Sequence, residues 1–229
     1  MKQKTIAFLP IRKGSQVIPL KNFKKLAGKP LFCWVGEAVI NCPEISELII
    51  STDFEEIKST TPKFFKSPKI KIFRRTPETA TNTASTESAI FDYIDREHPD
   101  FDYFLLIQAT CPFTTSEDLT KAVQKIKQTN ADSLLTLVPQ KKFYWEMGKK
   151  GLVEPINYSP LKRPLKQEMD FQYWENGAFY ITKKEALLTS KCRISGKIVG
   201  FPIDAPMDID DPTDWTIAEK LLLEREQAT

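Results

Sequence analysis

Two short segments, near opposite ends of the chain, contain residues whose types and spacing suit the binding of a polyphosphate and a metal ion. The first spans residues 10–22 and contains three cations and two small residues, namely Arg12, Lys13, Gly14, Ser15 and Lys21. Arginine can donate two parallel hydrogen bonds to phosphate oxygens, lysine supplies a point charge, and glycine lets backbone N–H groups approach an anion. The spacing is neither that of a Walker loop nor that of a GxGxxG fingerprint. The composition alone is compatible with a polyphosphate site or with a solvated basic turn.

The second segment, residues 207–214, is rich in aspartate. In an extended backbone successive side chains point to opposite faces, so Asp208 and Asp210 would share one face. Two carboxylates suit one hard cation such as Mg²⁺, which keeps water ligands and completes its shell with substrate phosphates. The alternative is that the segment only opens the last helix, with Asp211 as the cap and Pro212 in the first position. That alternative leaves the other two aspartates unexplained.

Histidine and cysteine offer little further chemistry. The one histidine, His98, lies between a predicted helix and a predicted strand, and we assign it no catalytic role. The cysteines lack the paired spacing of metal sites, and a single histidine cannot complete a Cys/His set. We therefore expect free thiols at Cys33, Cys42, Cys111 and Cys192.

Short apolar runs alternate with amphipathic stretches, which predicts an α/β fold with a Rossmann-like, mostly parallel sheet flanked by helices. The predicted strands are 5–10, 48–52, 69–73, 103–108, 133–138, 177–182 and 197–202. The predicted helices are 30–41, 53–59, 84–97, 115–129, 183–189 and 212–225, with Thr115 or Ser116 as the cap of the fourth. Ligands of such sheets bind beyond the carboxyl ends of the strands, where residues 10–22 emerge. This position favours the polyphosphate site.

The length of 229 residues favours a single domain over residues 1–229. One stretch, residues 139–176, interrupts the alternation with charges, prolines and aromatic residues. Among the aromatic residues are Phe143, Tyr144, Trp145, Phe171, Tyr173 and Trp174. Long insertions are usually functional or disordered, and this one is too aromatic for a solvated linker. We expect it to pack against another subunit, which predicts a homodimer.

The charge balance gives no general case for nucleic acid or membrane as a partner. The chain has 33 basic and 30 acidic residues, for a formal net charge of +3. The apolar run near the N-terminus returns to charged residues too soon for a signal peptide or a membrane span. We therefore expect a cytoplasmic protein.

Several segments in order resemble the motifs of the acylneuraminate cytidylyltransferases, also called the CMP-sialic acid synthetase family. They are residues 10–22, 26–31, 51–53, 74–78, 83–86, 108–112, 143–145, 163–167, 175–180 and 208–210. The resemblance covers positions 4–222. It implies a nucleotide-diphospho-sugar transferase-like fold and a dimer built through the insert.

The resemblance also implies a reaction, in which CTP and Mg²⁺ activate an acidic nine-carbon sugar to give the CMP-sugar and pyrophosphate. Arg12 and Lys21 would then hold the triphosphate, Asn22 would orient phosphate or pentose oxygens, and Mg²⁺ would lie on Asp208 and Asp210. The implied nucleotide-binding residues are Arg12, Gly14, Ser15, Lys21, Asn22, Arg75, Ser85 and Thr86. The implied sugar-binding residues are Gln108, Arg163, Lys166, Gln167, Asn176 and Gly177.

Two of these assignments have structural alternatives. Arg75 could instead form a surface ion pair with Glu78. The Asn176-Gly177 pair is also typical of a turn.

The chain departs from the family pattern at three positions. Lys13 stands where the family commonly has glycine, Gln16 where it has lysine, and Leu165 where it has arginine. Lys13 could restore the charge that Gln16 lacks, although the two side chains would project differently from the loop. These changes make a homologue that binds without turnover one alternative. A cytidylyltransferase for Kdo is the other, and the Lys21-Asn22 pair before residues 26–31 favours nonulosonates over it.

Overall fold

The computed structural model describes residues 3–15, 17–204 and 207–227, and Gln16 therefore lies outside the described residues. Its strands are β1 (Thr5–Pro10), β2 (Lys25–Leu26), β3 (Lys29–Pro30), β4 (Glu47–Thr52), β5 (Ile70–Arg74), β6 (Tyr103–Ile107), β7 (Ser133–Gln140), β8 (Trp145–Met147), β9 (Val153–Pro155), β10 (Gln172–Lys183) and β11 (Ile198–Pro202). Its helices are α1 (Leu31–Asn41), α2 (Ile57–Phe64), α3 (Thr86–Glu97), α4 (Ser116–Thr129), α5 (Lys184–Ser190) and α6 (Pro212–Gln227).

Seven of these strands form the central sheet, in the order β11-β7-β10-β6-β1-β4-β5. All neighbours are parallel except β10, which is antiparallel to β6 and to β7. From β1 the chain moves outward to β4 and β5, then crosses back to form β6 on the other side of β1. The loops that follow β1 and β6 therefore diverge, and a crevice opens between them at the carboxyl ends.

The core consists of a layer on each face of the sheet. Alternation along β1 sends Ala7 and Leu9 to the layer that contains α1 and α4, and Ile6 and Phe8 to the layer that contains α3 and α5. Because both faces are covered, the strand is apolar and buried over almost its whole length. A third cluster joins α6 to the hairpin of β2 and β3.

The predicted strands and helices are confirmed, with one helix displaced. The second was predicted over 53–59, whereas α2 spans Ile57–Phe64. The reason lies at Asp53, whose carboxylate accepts a hydrogen bond from the backbone N–H of Lys13 at 2.8 Å. The next residue is held in a turn, because the N–H of Phe54 donates to the Thr52 hydroxyl at 3.0 Å. The helix starts only after this turn.

The insert is partly continuous with the sheet. Strand β7 extends to Gln140 and β10 begins at Gln172, and these two residues face each other in the antiparallel pairing. Between them β8 and β9 form a small antiparallel hairpin.

Expectations about two other features are confirmed, since Thr115 caps α4 and the four cysteines are free thiols. None of the described helices has the length and apolarity that a membrane crossing requires.

Candidate active site

A cavity of about 490 Å³ opens in the crevice between β1 and β6. The loop after β1, the start of α3, the loop after β6 and Asp210 contribute to its wall. The predicted residues that line it are Arg12, Gly14, Ser15, Lys21, Asn22, Arg75, Ser85, Thr86, Gln108 and Asp210. The structure thus gathers residues that are up to 198 positions apart in the chain around one space.

The loop after β1 is held on both sides by neighbouring elements. The N–H of Ile11 donates to the carbonyl of Ser51 at 2.9 Å, so the ladder with β4 continues one residue past the strand. Asp53 then accepts from the N–H of Lys13, and the side-chain amide of Asn22 donates to the carbonyl of Arg12 at 3.3 Å. The loop is therefore fixed by contacts with the backbone of residues 11–13.

The side chain of Lys13 points away from the cavity. Its ammonium lies 5.2 Å from the centroid of the Phe54 ring, which is within the range of a cation–π contact. Lys13 is not among the residues of the cavity wall. It therefore does not bring to the cavity the charge that Gln16 lacks.

Two guanidinium groups lie close together at the cavity. Nη1 of Arg12 donates to the Thr81 carbonyl at 3.0 Å and to Oδ1 of Asn82 at 2.7 Å. Arg75 is buried and donates to Thr79, so the alternative of a surface ion pair with Glu78 is wrong. Burial lowers the pKa of Arg75, the Asp53 carboxylate raises it, and the charge of Arg12 lowers it further. An anion bound between the two arginines would relieve their repulsion.

Helix α3 directs its N-terminus to the same cavity. Ser85 is the cap, and its hydroxyl oxygen accepts from the N–H of Ser88 at 3.1 Å. Thr86 is the first residue of the helix, and both line the cavity. The unpaired N–H groups and the dipole of a helix N-terminus attract anions. Arg12, Arg75 and this terminus therefore make one wall electropositive.

On the opposite side, the aspartate segment is joined to the loop by Lys21. The ammonium of Lys21 donates to the carbonyl of Ile209 at 2.6 Å and lies 3.7 Å from Oδ1 of Asp210. The side chain of Asp210 is 79% exposed and faces the cavity. Lys21 thus ties the backbone of Ile209, which lies between the two predicted metal ligands, to the loop after β1.

Asp208 is half-buried and is not among the residues that line the cavity. Its buried Oδ1 finds no hydrogen-bond partner among the residues that the structure describes. Burial raises the pKa of Asp208, and the carboxylates of Asp210 and Asp214 raise it further, against the opposing effects of Thr110 and Lys21. A cation beside this oxygen would satisfy it.

The two carboxylates fit the hard oxygen chemistry of Mg²⁺. No group of three or more His, Cys, Asp or Glu that could hold a metal occurs in the described part of the chain. Mg²⁺ usually keeps water ligands and binds substrate phosphates beside one or two carboxylates. The capping role of Asp211 is confirmed, because its carboxylate accepts from the N–H groups of Thr213 and Asp214 at 2.7 and 2.9 Å. Asp211 thus caps the helix, while Asp208 and Asp210 remain the predicted metal ligands.

The residues predicted for the sugar fall into two groups. Gln108 lines the cavity, and its N–H donates to the carbonyl of Ala178 at 3.0 Å, which places the start of the bulge in β10 beside it. Within the bulge, Gly177 has φ of 72°, a backbone conformation that glycine adopts readily. Asn176 is buried, and its Oδ1 accepts from the N–H of Ala178 at 3.3 Å. Asn176 and Gly177 therefore have the turn-like geometry that was proposed as their structural alternative. They also lie close to Gln108, which is predicted to bind the sugar.

The remaining three sugar residues lie in the insert and do not line this cavity. The guanidinium of Arg163 lies 3.9 Å from the centroid of the Phe143 ring, beside a second cavity of about 440 Å³. The carbonyl of Gln167 accepts from the ammonium of Lys141 at 2.7 Å, and Lys166 begins a short 3-10 turn. Within one chain these residues are separate from the first cavity.

Other residues of the cavity wall were missed in the sequence. They are Pro10, Val17, Thr81, Ala84, Ala109 and Thr110. Five of them lie inside motif segments named above, so motif membership was an available signal for these five, whereas Thr81 lies outside those segments. Nothing in the sequence indicated that Asn82 would bond to Arg12 across the cavity edge.

Comparisons with known proteins show the family to which the chain belongs. A family model described as Cytidylyltransferase matches residues 6–220. The chain is 34% identical over 222 residues to N-acylneuraminate cytidylyltransferase A of Danio rerio, which covers 95% of this chain and 50% of that protein. It is 28% identical over 227 residues to CMP-N,N'-diacetyllegionaminic acid synthase of Legionella pneumophila, which covers 95% of both. The chain thus spans about half the length of the Danio rerio relative.

Solved structures share the fold. The chain superposes on CMP:2-keto-3-deoxy-manno-octonic acid synthetase complexed with CTP with a TM-score of 0.71, over 97% of this chain and 99% of that one. The sequence identity is 15%, so this likeness concerns the fold alone.

The burial of Asp208 predicts that Asp208→Asn raises Tm at pH 7, by about 2–4 °C for each kcal/mol of charge penalty removed. The pKa of Asp208 is raised in the folded state. The free-energy penalty of ionising Asp208 in the folded protein is therefore absent below the unfolded-state pKa of about 3.9, and it grows as pH rises towards the folded-state pKa. The gain in Tm should therefore shrink from pH 7 to pH 4. Thermal unfolding at both pH values measures it, with the exposed Asp95→Asn as the control. If the gain in Tm of Asp208→Asn were the same at both pH values, the ionisation of Asp208 could not be its cause.

Proposed function

The chain belongs to the cytidylyltransferase family, and from this membership we propose that it activates an acidic nonulosonate sugar with CTP. The products would be the CMP-sugar and pyrophosphate, and the sugar would be sialic acid, Kdn, legionaminic acid or a related acid. The observation that carries the proposal is the convergence of Arg12, Lys21 and Arg75 on one cavity at the carboxyl ends of β1 and β6. Three cations and a helix N-terminus suit the charge of a nucleoside triphosphate. The names of the curated relatives support the sugar class.

In the proposed reaction the anomeric hydroxyl of the sugar attacks the α-phosphorus of CTP. The hydroxyl gives up its proton to water, its oxygen forms a bond to the α-phosphorus, and the bond from that phosphorus to the departing pyrophosphate breaks. No covalent intermediate with the enzyme is needed. Positioning and charge neutralisation therefore supply most of the catalysis. Arg12 and Lys21 would hold the triphosphate from opposite sides, with the buried Arg75 at the same cavity as Arg12. Asn22 would act mainly by bracing the carbonyl of Arg12.

Asp208 and Asp210 would hold Mg²⁺, which when bound offsets negative charge on the α-phosphate and the departing pyrophosphate. The unpartnered buried oxygen of Asp208 supports this assignment. Lys21 keeps the segment in place through the carbonyl of Ile209, and the N–H of Asp210 donates to the Asp214 carboxylate at 3.0 Å. The chain therefore positions both carboxylates through their backbone.

We further propose a homodimer formed through the insert. On the hairpin of β8 and β9, Trp145, Met147 and Val153 share one face, because Met147 is opposite Val153 in the pairing. These side chains are 44%, 75% and 48% exposed. An apolar face of this kind is typical of a surface that packs against another protein. In the dimer, the insert of one subunit would contribute Arg163, Lys166 and Gln167 to the sugar site of the other.

The substrate proposal predicts that pyrophosphate is released when the protein is mixed with CTP, Mg²⁺ and a nonulosonate. The panel should contain Neu5Ac, Kdn, legionaminic acid, pseudaminic acid and Kdo, each at the same concentration. We expect turnover with at least one of the nine-carbon acids and at least about 10-fold lower kcat/KM with Kdo, because pocket shape discriminates between them. Preference for Kdo would support the Kdo cytidylyltransferase. CTP binding without turnover on any sugar would support the homologue that only binds.

The metal proposal predicts that Asp210→Ala lowers kcat by about 100-fold or more while Tm stays close to that of the wild type. The fold should survive because the Asp210 side chain is exposed and the bond from its N–H to Asp214 is retained. Asp204→Ala, an exposed aspartate outside the cavity, is the matched control. Wild-type rates for Asp210→Ala at saturating Mg²⁺ would refute the assignment.

The dimer proposal predicts that Met147→Glu shifts the protein to monomers, because a charge would be buried in the apolar interface. Sedimentation velocity over a range of concentrations measures the change. Leu223→Glu, at an exposed leucine on α6, is the control that should leave the dimer intact. If wild-type protein is already monomeric at high concentration, the proposal is wrong.

A further inference from the structure

We infer that Asn82 is a positioning residue that sets the orientation of Arg12 for phosphate binding, and this inference rests on the proposed function. Asn82 lies between the 3-10 turn Pro77–Ala80 and α3, and its side chain contacts the loop after β1 at Arg12. Its side-chain oxygen accepts from Nη1 of Arg12 at 2.7 Å, and the carbonyl of Thr81 accepts from the same nitrogen at 3.0 Å. The contact links segments 70 residues apart.

The choice of nitrogen matters for what Arg12 can still bind. A guanidinium carries five N–H donors in a rigid plane. Both contacts use Nη1, so among the described residues the edge formed by Nη2 and Nε has no protein acceptor. That edge is the one that can donate two parallel hydrogen bonds to phosphate oxygens. Two acceptors on Nη1 fix the rotation of the plane, and with it the direction of the free edge.

Asn82 also contacts the loop at a second place. A Cβ atom added at Gly14 would lie 3.7 Å from Oδ1 of Asn82, so the backbone of residue 14 passes directly beside this side chain. From the other side, Asp53 holds the N–H of Lys13. Asn82 and Asp53 therefore flank residues 12–14. Of these two side chains, Asn82 is the one that contacts the guanidinium, together with the carbonyl of Thr81.

Asn82 acts through Arg12 and not on the ligand itself. It is not among the residues that line the cavity, although its neighbours Thr81 and Ala84 are. Arg12 belongs to an exposed part of the loop, where a long side chain without a fixed partner samples many rotamers. Loss of the Asn82 contact would therefore weaken phosphate binding by disordering the guanidinium.

The test is CTP binding by calorimetry on Asn82→Ala, Arg12→Ala and the double variant. We expect Asn82→Ala to weaken CTP binding by about 10-fold, as for the loss of one charge-assisted hydrogen bond, with Tm within about 2 °C of the wild type. In the Arg12→Ala background, Asn82→Ala should cause no further loss, because its effect passes through Arg12. Asn41→Ala, the same truncation at the exposed end of α1, is the control.

Several results would overturn the inference. CTP affinity of Asn82→Ala within about twofold of the wild type would show that the contact does not matter. Additive losses in the double variant would mean that Asn82 touches the nucleotide itself. A fall in Tm that parallels the loss of binding would indicate a merely structural role. Failure of the wild type to bind CTP would instead refute the proposed function, and the inference with it.

Discussion

The candidate site depends on the pairing of β1 with a parallel strand on each side. Ile6 is in register with Glu47 of β4, and Thr5 is in register with Tyr103 of β6. A strand that is buried on both faces and bonded along both edges cannot shift its register without exposing its apolar side chains. Its carboxyl end is therefore fixed in space, and so is the point where residues 10–22 leave the sheet. Because the chain continues to opposite sides of β1, the crevice beyond that end is a direct consequence of the strand order.

Two charged side chains near that crevice, Asp208 and Arg75, lie where burial disfavours their ionised forms. Burial raises the pKa of Asp208 and lowers the pKa of Arg75, so each group is held in a place that penalises its ionised form. Arg12 adds a like charge beside Arg75, and Asp210 adds one beside Asp208. Arg12 and Arg75 line the same cavity as Asp210, so basic and acidic residues meet at one space, although Asp208 itself does not line it. A polyphosphate together with a divalent cation would supply both counter-charges at once, which is why the arrangement favours binding of the two together.

The architecture was accessible from the sequence because it follows from periodicity. The buried strand 103–108 and the amphipathic helix 115–129 are long and regular, and Thr115 has the side chain that a helix cap requires. The second helix was misplaced because Asp53 forms a contact with Lys13, 40 residues earlier, which no local pattern encodes. The β8–β9 hairpin was missed for a similar reason, since its pairing depends on how the insert folds back and not on an alternation of its own.

The sequence predicted site residues well where the type of side chain decides the role. It could not predict the direction in which a side chain points. Arg12, Lys21 and Asp210 are recognisable from charge and spacing, and they do line the cavity. Lys13 is equally basic, yet its ammonium lies over the Phe54 ring and not in the cavity. The hydrogen bond from its backbone N–H to Asp53 fixes the backbone in the conformation that directs this side chain away from the cavity. The residue that replaces a glycine here is thus accommodated on the outer side of the loop, so the loop keeps its contacts while the cavity gains no charge. In the proposed function, phosphate binding would depend on the charges of Arg12, Arg75 and Lys21. These side chains donate hydrogen bonds to Asn82, Thr79 and Ile209 respectively. Each of those three partners bonds through an oxygen that no composition or motif distinguishes from others, and only the fold identifies them.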